Sequence, residues 1–219
     1  MQITSKDNEM VRRMHRLLTD AKARRKEGAL VIEGARLCED AARSGVGIET
    51  ALITEKARDK YPRQTAAVAE VAAHVFDITD GVADSLSDTV TSQGVFCLCK
   101  ALDNRKMLDT ILEVDILSTL RAKRWLALED VRDPGNMGTV IRTAEAMGVG
   151  VLILSAGCCD VSAPKVVRGS MGGVFRLPIY ETADLPGTLS RLEAAGCATY
   201  ACVPAAESRE RAPGRSAVS

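Results

Sequence analysis

Aromatic side chains are scarce, with Phe, Tyr and Trp making up 3% of the 219 residues. A protein that reads bases mainly by stacking them on aromatic rings is therefore not expected. Charge of one sign is also lacking, because 29 basic residues face 29 acidic ones and the formal net charge is zero. Bulk electrostatics give no nucleic-acid signal, so any basic surface has to be local. Only two histidines, His15 and His74, accompany seven cysteines that include no C-x-x-C pair. That argues against a metal site, and small buried thiols in a reducing compartment are expected. No run approaches the ~18 apolar residues of a membrane span. The N-terminal MQITSKDNEMVRR lacks the apolar core of a secretion signal. A cytoplasmic chain without membrane contact is expected.

What is present is an alternation of helix and strand patterns, which argues for an α/β chain with a parallel sheet in its second half. Residues 1–100 read as a small α/β domain: a helix from Asn8 to Lys26, strands at Leu30–Gly34, Ile48–Thr54, His74–Thr79 and Gly94–Lys100, and helices at Arg36–Ser44 and Thr65–Ala73. Residues 101–123 are more polar, with one weak helix around Leu108–Leu117, and read as a linker. Residues 124–203 alternate again: strand Trp125–Asp130, a helix, strand Val151–Ser155, strand-like Phe175–Tyr180, helix Leu185–Ala195 and strand Cys197–Val203. Residues 204–219, PAAESRERAPGRSAVS, have no apolar period and read as a disordered tail.

Two stretches carry chemistry. DPGNMGTVIRTAEAMG (Asp133–Gly148) follows a strand and opens a helix whose apolar face is Met137, Val140, Ile141, Ala144 and Met147. A strand, a glycine-containing turn and a helix N-terminus make up the usual ligand position of an α/β sheet. It is not a dinucleotide fingerprint, which needs G-x-G-x-x-G, nor a P-loop, which needs Gly-Lys-Ser/Thr. The small residues of this helix suggest an open approach for a ligand, with Arg142 as its chemical purpose. SAPKVVRGSMGG (Ser162–Gly173) places Lys165 and Arg168 on one helix face, followed by a glycine-rich loop with Ser170, a candidate anion contact.

In this order the two stretches resemble the first two motifs of the SpoU-type RNA ribose 2′-O-methyltransferases of the SPOUT superfamily. KEGALVIEGARLCEDA (Lys26–Ala41) and SDTVTSQGVFCL (Ser87–Leu98) resemble the L30e-like RNA-binding domain that precedes the catalytic domain in many members. The resemblance implies an N-terminal L30e-like domain and a knotted SPOUT domain. It further implies S-adenosylmethionine as methyl donor, an RNA substrate of the ribosomal or transfer class, and a homodimer with the active site at the subunit interface. Asn136 and Arg142 match the catalytic-motif asparagine and arginine, and Glu145 an acidic position on the same helix. Lys165, Arg168 and Ser170 match the second motif, associated with RNA and the subunit interface. Arginine is a poor base because its pKa exceeds ~12. Arg142 is instead expected to hold the ribose-phosphate and stabilise a developing alkoxide, with Asn136 orienting Arg142 or its loop.

The family's third motif, which supplies the cofactor pocket and the threaded part of the knot, has no counterpart after Tyr200. The expectation is a SPOUT domain without its C-terminal knot segment, with no assignable cofactor-binding residues and weak cofactor binding. The alternative reading is a non-catalytic RNA-binding module. Residues 1–30 carry eight basic and four acidic side chains. Within them Arg24, Arg25 and Lys26 are candidate phosphate contacts, or else the solvated end of a helix favoured by its dipole.

Overall fold

The computed structural model describes residues 2–87, 91–102, 105–107 and 124–202. The helix expected around Leu108–Leu117, the segment 204–219 and the knot lie outside the described residues.

Caps set the first elements. Asn8 accepts from the Met10 N–H at 2.9 Å and opens α1 (Glu9–Thr19), which buries Val11, Met14 and Leu17. The sequence pattern predicts one helix from Asn8 to Lys26, but the chain breaks at Asp20, whose backbone is extended (φ −120°, ψ 111°). The Asp20 carboxylate accepts from the Lys22 N–H at 2.7 Å and opens α2 (Ala21–Glu27). A short acid that can cap the backbone overrides a continuing helical period.

There follow β2 (Ala29–Glu33), α3 (Ala35–Arg43), β3 (Ile48–Thr54), α4 (Glu55–Lys60), α5 (Pro62–Val71), β4 (His74–Ile78), α6 (Asp80–Leu86) and β5 (Val95–Lys100). With β1 (Gln2–Ile3) they form a mixed sheet in the order β1-β4-β3-β5-β2. Here β4 runs parallel to β1 and β3, and β5 antiparallel to β2 and β3.

The second sheet is parallel throughout, in the order β6-β9-β8-β7, from β6 (Arg105–Met107), β7 (Trp125–Leu128), β8 (Val151–Ser155) and β9 (Ile179–Thr182). Its helices are α7 (Pro134–Ala146), α8 (Pro164–Gly169), α9 (Gly173–Arg176) and α10 (Leu185–Ala194). The strand β6 lies in the stretch that reads as a linker; three residues are too few to leave a period-2 signal. FRLPIY is not one strand, as its composition predicts. Gly173–Arg176 makes a helical turn, and pairing begins only at Ile179. Residues 197–202 form no strand, although CATYACV has the composition of one. Cys197 packs beside Leu185, Leu192, Val151 and Ile153 rather than extending a sheet edge. Strand composition describes fit to a pleated surface, and without a partner edge it is not realised.

The two sheets share one core. In β2, Leu30 and Ile32 face a cluster that contains Met137 and Ile141 of α7 and Val166 and Val167 of α8. Ala29 and Val31 face the opposite side, against Val11 and Met14 of α1. Buried on both faces, β2 reads as an unbroken apolar run rather than an alternating one.

Candidate active site

The β7–α7 connection is built on Asp133. Its carboxylate accepts from the Asn136 N–H at 2.7 Å and caps α7, and Pro134 takes the first helical position. Proline suits that place because its φ is preset and it has no N–H to leave unpaired. The helix therefore starts three residues before Met137, where the apolar period begins. Lys165 on α8 lies 3.9 Å from the Asp133 carboxylate and is largely exposed.

Helices α7 and α8 touch backbone to backbone. A Cβ placed on Gly138 would lie 2.9 Å from both the Gly169 Cα and the Val166 carbonyl oxygen. Gly138 is buried. The small residues of α7 thus admit α8, and the expectation that they clear an approach for a ligand is corrected. The consequence for the site is positional: the contact draws the α8–α9 loop against the exposed face of α7.

On that face stands Arg142, whose Nη1 donates to the thioether of Met171 at 3.4 Å. Met171 is 64% exposed and belongs to the α8–α9 loop. Among the described residues Arg142 makes no ion pair. Ser170, expected to contact an anion, is instead fully buried: its hydroxyl donates to the Val167 carbonyl at 2.8 Å and accepts from the Val174 N–H at 3.4 Å. It fastens the turn between α8 and α9, so in this conformation it is a structural residue. Asn136 is exposed at the start of α7, and Arg142 hydrogen-bonds to Met171 rather than to it. At 100° per residue the two lie about 120° apart around the helix.

Of the other expected residues, Glu145, Arg168 and Arg24 each meet a side chain of opposite charge. Glu145 accepts from Arg176 Nε at 2.9 Å, and Arg176 Nη1 also donates to Asp40 of α3 at 2.7 and 2.8 Å. Glu145 first, and then Asp40, hold the Arg176 guanidinium even more firmly protonated than usual. Arg168 sits 3.6 Å from Glu33 of β2, whose side chain is 4% exposed and accepts from Ser87 Oγ at 2.5 Å. Arg24 is not an accessible phosphate contact. Its side chain is 6% exposed and donates to Asp160 at 2.9 and 3.0 Å and to the Leu17 carbonyl at 2.7 Å. Burial would push the Asp160 carboxyl up, but hydrogen bonds from Ser162 and from Arg24 outweigh it and hold the group below the ordinary range. Arg25 and Lys26 are exposed.

Among the described residues, three arginine–carboxylate contacts join the two sheets' layers: Arg24–Asp160, Arg168–Glu33 and Arg176–Asp40. Sequence reasoning misses Asp160, Glu33, Asp40, Arg176 and Met171, because nothing in residue type tells which charge meets which across two sheets. Beyond the last bridge, a groove of about 400 Å³ between α3 and α5 is lined by Arg36, Glu39, Asp40, Arg43, Arg63 and Gln64.

Gly135, Gly157 and Gly172, in or next to the connections that follow β7, β8 and α8, are closely packed. The space of Gly135 is taken by Asp133 and Lys165, that of Gly157 by Asp130 and that of Gly172 by Asp40. No described residue is assigned to the cofactor.

The profile of the SpoU rRNA Methylase family matches residues 123–216, and that of an MRM3-like substrate binding domain matches residues 8–97. The first match runs past 203, so it lends no support to a catalytic domain ending there. The chain is 31% identical over 204 residues to an uncharacterized tRNA/rRNA methyltransferase of Synechocystis, covering 93% of this chain and 70% of that protein. It is 28% identical to the 23S rRNA (guanosine(2553)-2′-O)-methyltransferase of Bacillus subtilis, covering 91% and 72%. It spans 40% of the mitochondrial rRNA methyltransferase 3 of Xenopus laevis, covering 79% of this chain at 31% identity. Among solved structures, the AdoMet-bound rRNA methyltransferase of Sinorhizobium meliloti superimposes with a TM-score of 0.70 at 26% identity, covering 89% of this chain and 69% of that one.

Proposed function

Because the chain belongs to the SpoU family of RNA methyltransferases, whose cofactor is S-adenosylmethionine, we propose that it methylates a ribose 2′-hydroxyl of a structured ribosomal or transfer RNA, with Arg142 engaging the target nucleotide. One observation carries this reading. Arg24, Arg168 and Arg176 each lie against a carboxylate, whereas Arg142 is exposed and, among the described residues, its side chain bonds only to a neutral thioether. No described carboxylate takes up its charge, which is what a phosphate-binding arginine needs.

The cofactor supplies an electrophilic methyl group; what this chain's residues supply is placement and charge. A ribose hydroxyl is a weak nucleophile until its proton is shared or lost. Arg142 can grip the adjoining phosphate bidentately and stabilise negative charge as it develops on the ribose oxygen. Holding the two reactants in register is worth about 7–11 kcal/mol in favourable cases. Lys165, largely exposed near the α7 N-terminus, is a second candidate phosphate contact, and Asn136, exposed at the start of α7, can orient the β7–α7 loop. The exposed Arg36 and Arg63 line the α3–α5 groove and extend the basic path onto the N-terminal domain. Arg25 and Lys26 are further candidates on its surface. By resemblance to the family, the active form is a homodimer.

The test is transfer of labelled methyl from S-adenosylmethionine to ribosomal and transfer RNA, followed by nuclease digestion and nucleoside mass spectrometry. A 2′-O-methylnucleoside is expected, and Arg142→Ala should remove it while RNA is still bound. Label on a base would overturn the ribose assignment. RNA binding without any transfer would favour a non-catalytic binding module.

A further inference from the structure

The α8–α9 loop contains an expensive backbone conformation. Met171 has φ 48°, in the left-handed region where a side chain is strained. Its neighbour Gly172 (φ 84°) is there for a plain reason, since a Cβ would fall on the Asp40 carboxylate. Met171 has no such reason. It is 64% exposed, so burial does not offset the strain. Among the described residues only Asp130 shares this φ region without being glycine. The buried Ser170 on one side and Gly172 on the other fix the turn, and the result is a thioether held against the Arg142 guanidinium at 3.4 Å.

We propose that Met171 is a positioning residue for methyl transfer: it holds the Arg142 guanidinium through a neutral, polarizable acceptor and so fixes its direction without consuming its charge. A carboxylate in the same place would hold the arginine as well, but would neutralise it, as Glu33, Asp40 and Asp160 do for Arg168, Arg176 and Arg24. A sulfur is a weak acceptor, so an incoming phosphate or alkoxide displaces it readily. The strain then has a function, since it keeps a soft partner beside a charge that must stay available. This inference rests on Arg142 being the residue that engages the target nucleotide.

The test compares Met171→Leu, Met171→Gly and Met171→Glu with Arg142→Ala, and with each Met171 variant combined with Arg142→Ala. The readouts are Tm, kcat and KM for methyl transfer, and the salt dependence of RNA binding. Met171→Gly relieves the strained φ, so its Tm should be unchanged or higher while kcat falls on the order of 10- to 100-fold. Met171→Leu, which keeps the bulk and loses the sulfur, should fall between wild type and the glycine variant. Met171→Glu should lower the log–log salt slope by about 1, the same change as Arg142→Ala, because the arginine is then paired within the chain. In the Arg142→Ala background none of the three should have a further effect.

Wild-type kcat and slope in both the glycine and glutamate variants would overturn the proposal, as would a Met171→Gly protein that loses Tm and activity together. If Arg142→Ala itself left transfer unchanged, the role of Arg142 would fail first, and this inference with it.

Discussion

Gly138 of α7 and Gly169 of α8 meet without side chains between them: a methyl on Gly138 would lie 2.9 Å from the Gly169 Cα. Neither helix backbone can yield without moving the loop that carries Met171. Gly138→Ala should therefore destabilise the protein by about 1–3 kcal/mol, as overpacking does. At Gly81, on the exposed face of α6, an added methyl would have nothing within 4 Å. There Gly81→Ala should stabilise by about 0.4–1 kcal/mol, through the unfolded chain. Denaturant unfolding of the two variants checks the opposite signs. Equal effects would mean that the α7–α8 contact is looser than described.

Arg24 and Asp160 are 6% and 10% exposed and pair across the domain boundary at 2.9 Å. Removing one partner leaves the other buried and uncompensated, so Arg24→Ala should cost about 3–5 kcal/mol. Arg25→Ala and Lys26→Ala, on exposed side chains of the same helix, should stay within about 0.5 kcal/mol. If these two touch phosphate, each should lower the salt slope of RNA binding by about 1. An Arg24→Ala protein of wild-type stability would sink the structural assignment. Unchanged slopes for the other two would return them to a solvated helix end.

The same pair sets an acid limit. Asp160 has a folded pKa held below its unfolded value near 3.9. A depressed carboxylate contributes stability that is present above the unfolded pKa and is lost as pH falls through the folded one. Unfolding free energy should therefore drop below about pH 4. Asp160→Asn should be less stable at neutral pH and lose part of that slope. Denaturant titrations between neutral pH and about pH 3 make the comparison, and an identical acid slope in the variant would rule the group out.

Thiol chemistry should divide the cysteines by depth. A hydrogen bond with Cys38, together with burial, pushes the Cys97 thiol well up, and burial does the same for Cys99. Cys202 is exposed. Because the thiolate is the reactive form, a maleimide should label Cys202 first and leave Cys38, Cys97 and Cys99 untouched until the protein unfolds. Peptide mass spectrometry on native protein reads this out, and early modification of Cys97 would show that the β5 core opens easily.

The sequence by itself determined what depends on near neighbours. Period-3.6 and apolar runs placed α3, β2, β3, β4, β8 and α10. Spacing put Arg142 on α7, but the Asp133–Gly135 stretch read as a turn before a helix from Met137, whereas Asp133 caps a helix that already starts at Pro134. The two long motifs carried the family. It could not find α4, α6, β1 and β6, which are too short to show a period, nor the break at Asp20, where a side-chain cap competes with a helix on nearly equal terms. The tertiary structure decided which cations are free. Arg24 and Asp160 are 136 residues apart in the chain, as are Asp40 and Arg176. Charge attraction acts through space and carries no sequence period. Arg24, Arg168 and Arg142 look alike as letters, and only the packing of β2, α3 and α7–α9 shows that two of them lie against carboxylates while the third rests on a strained methionine.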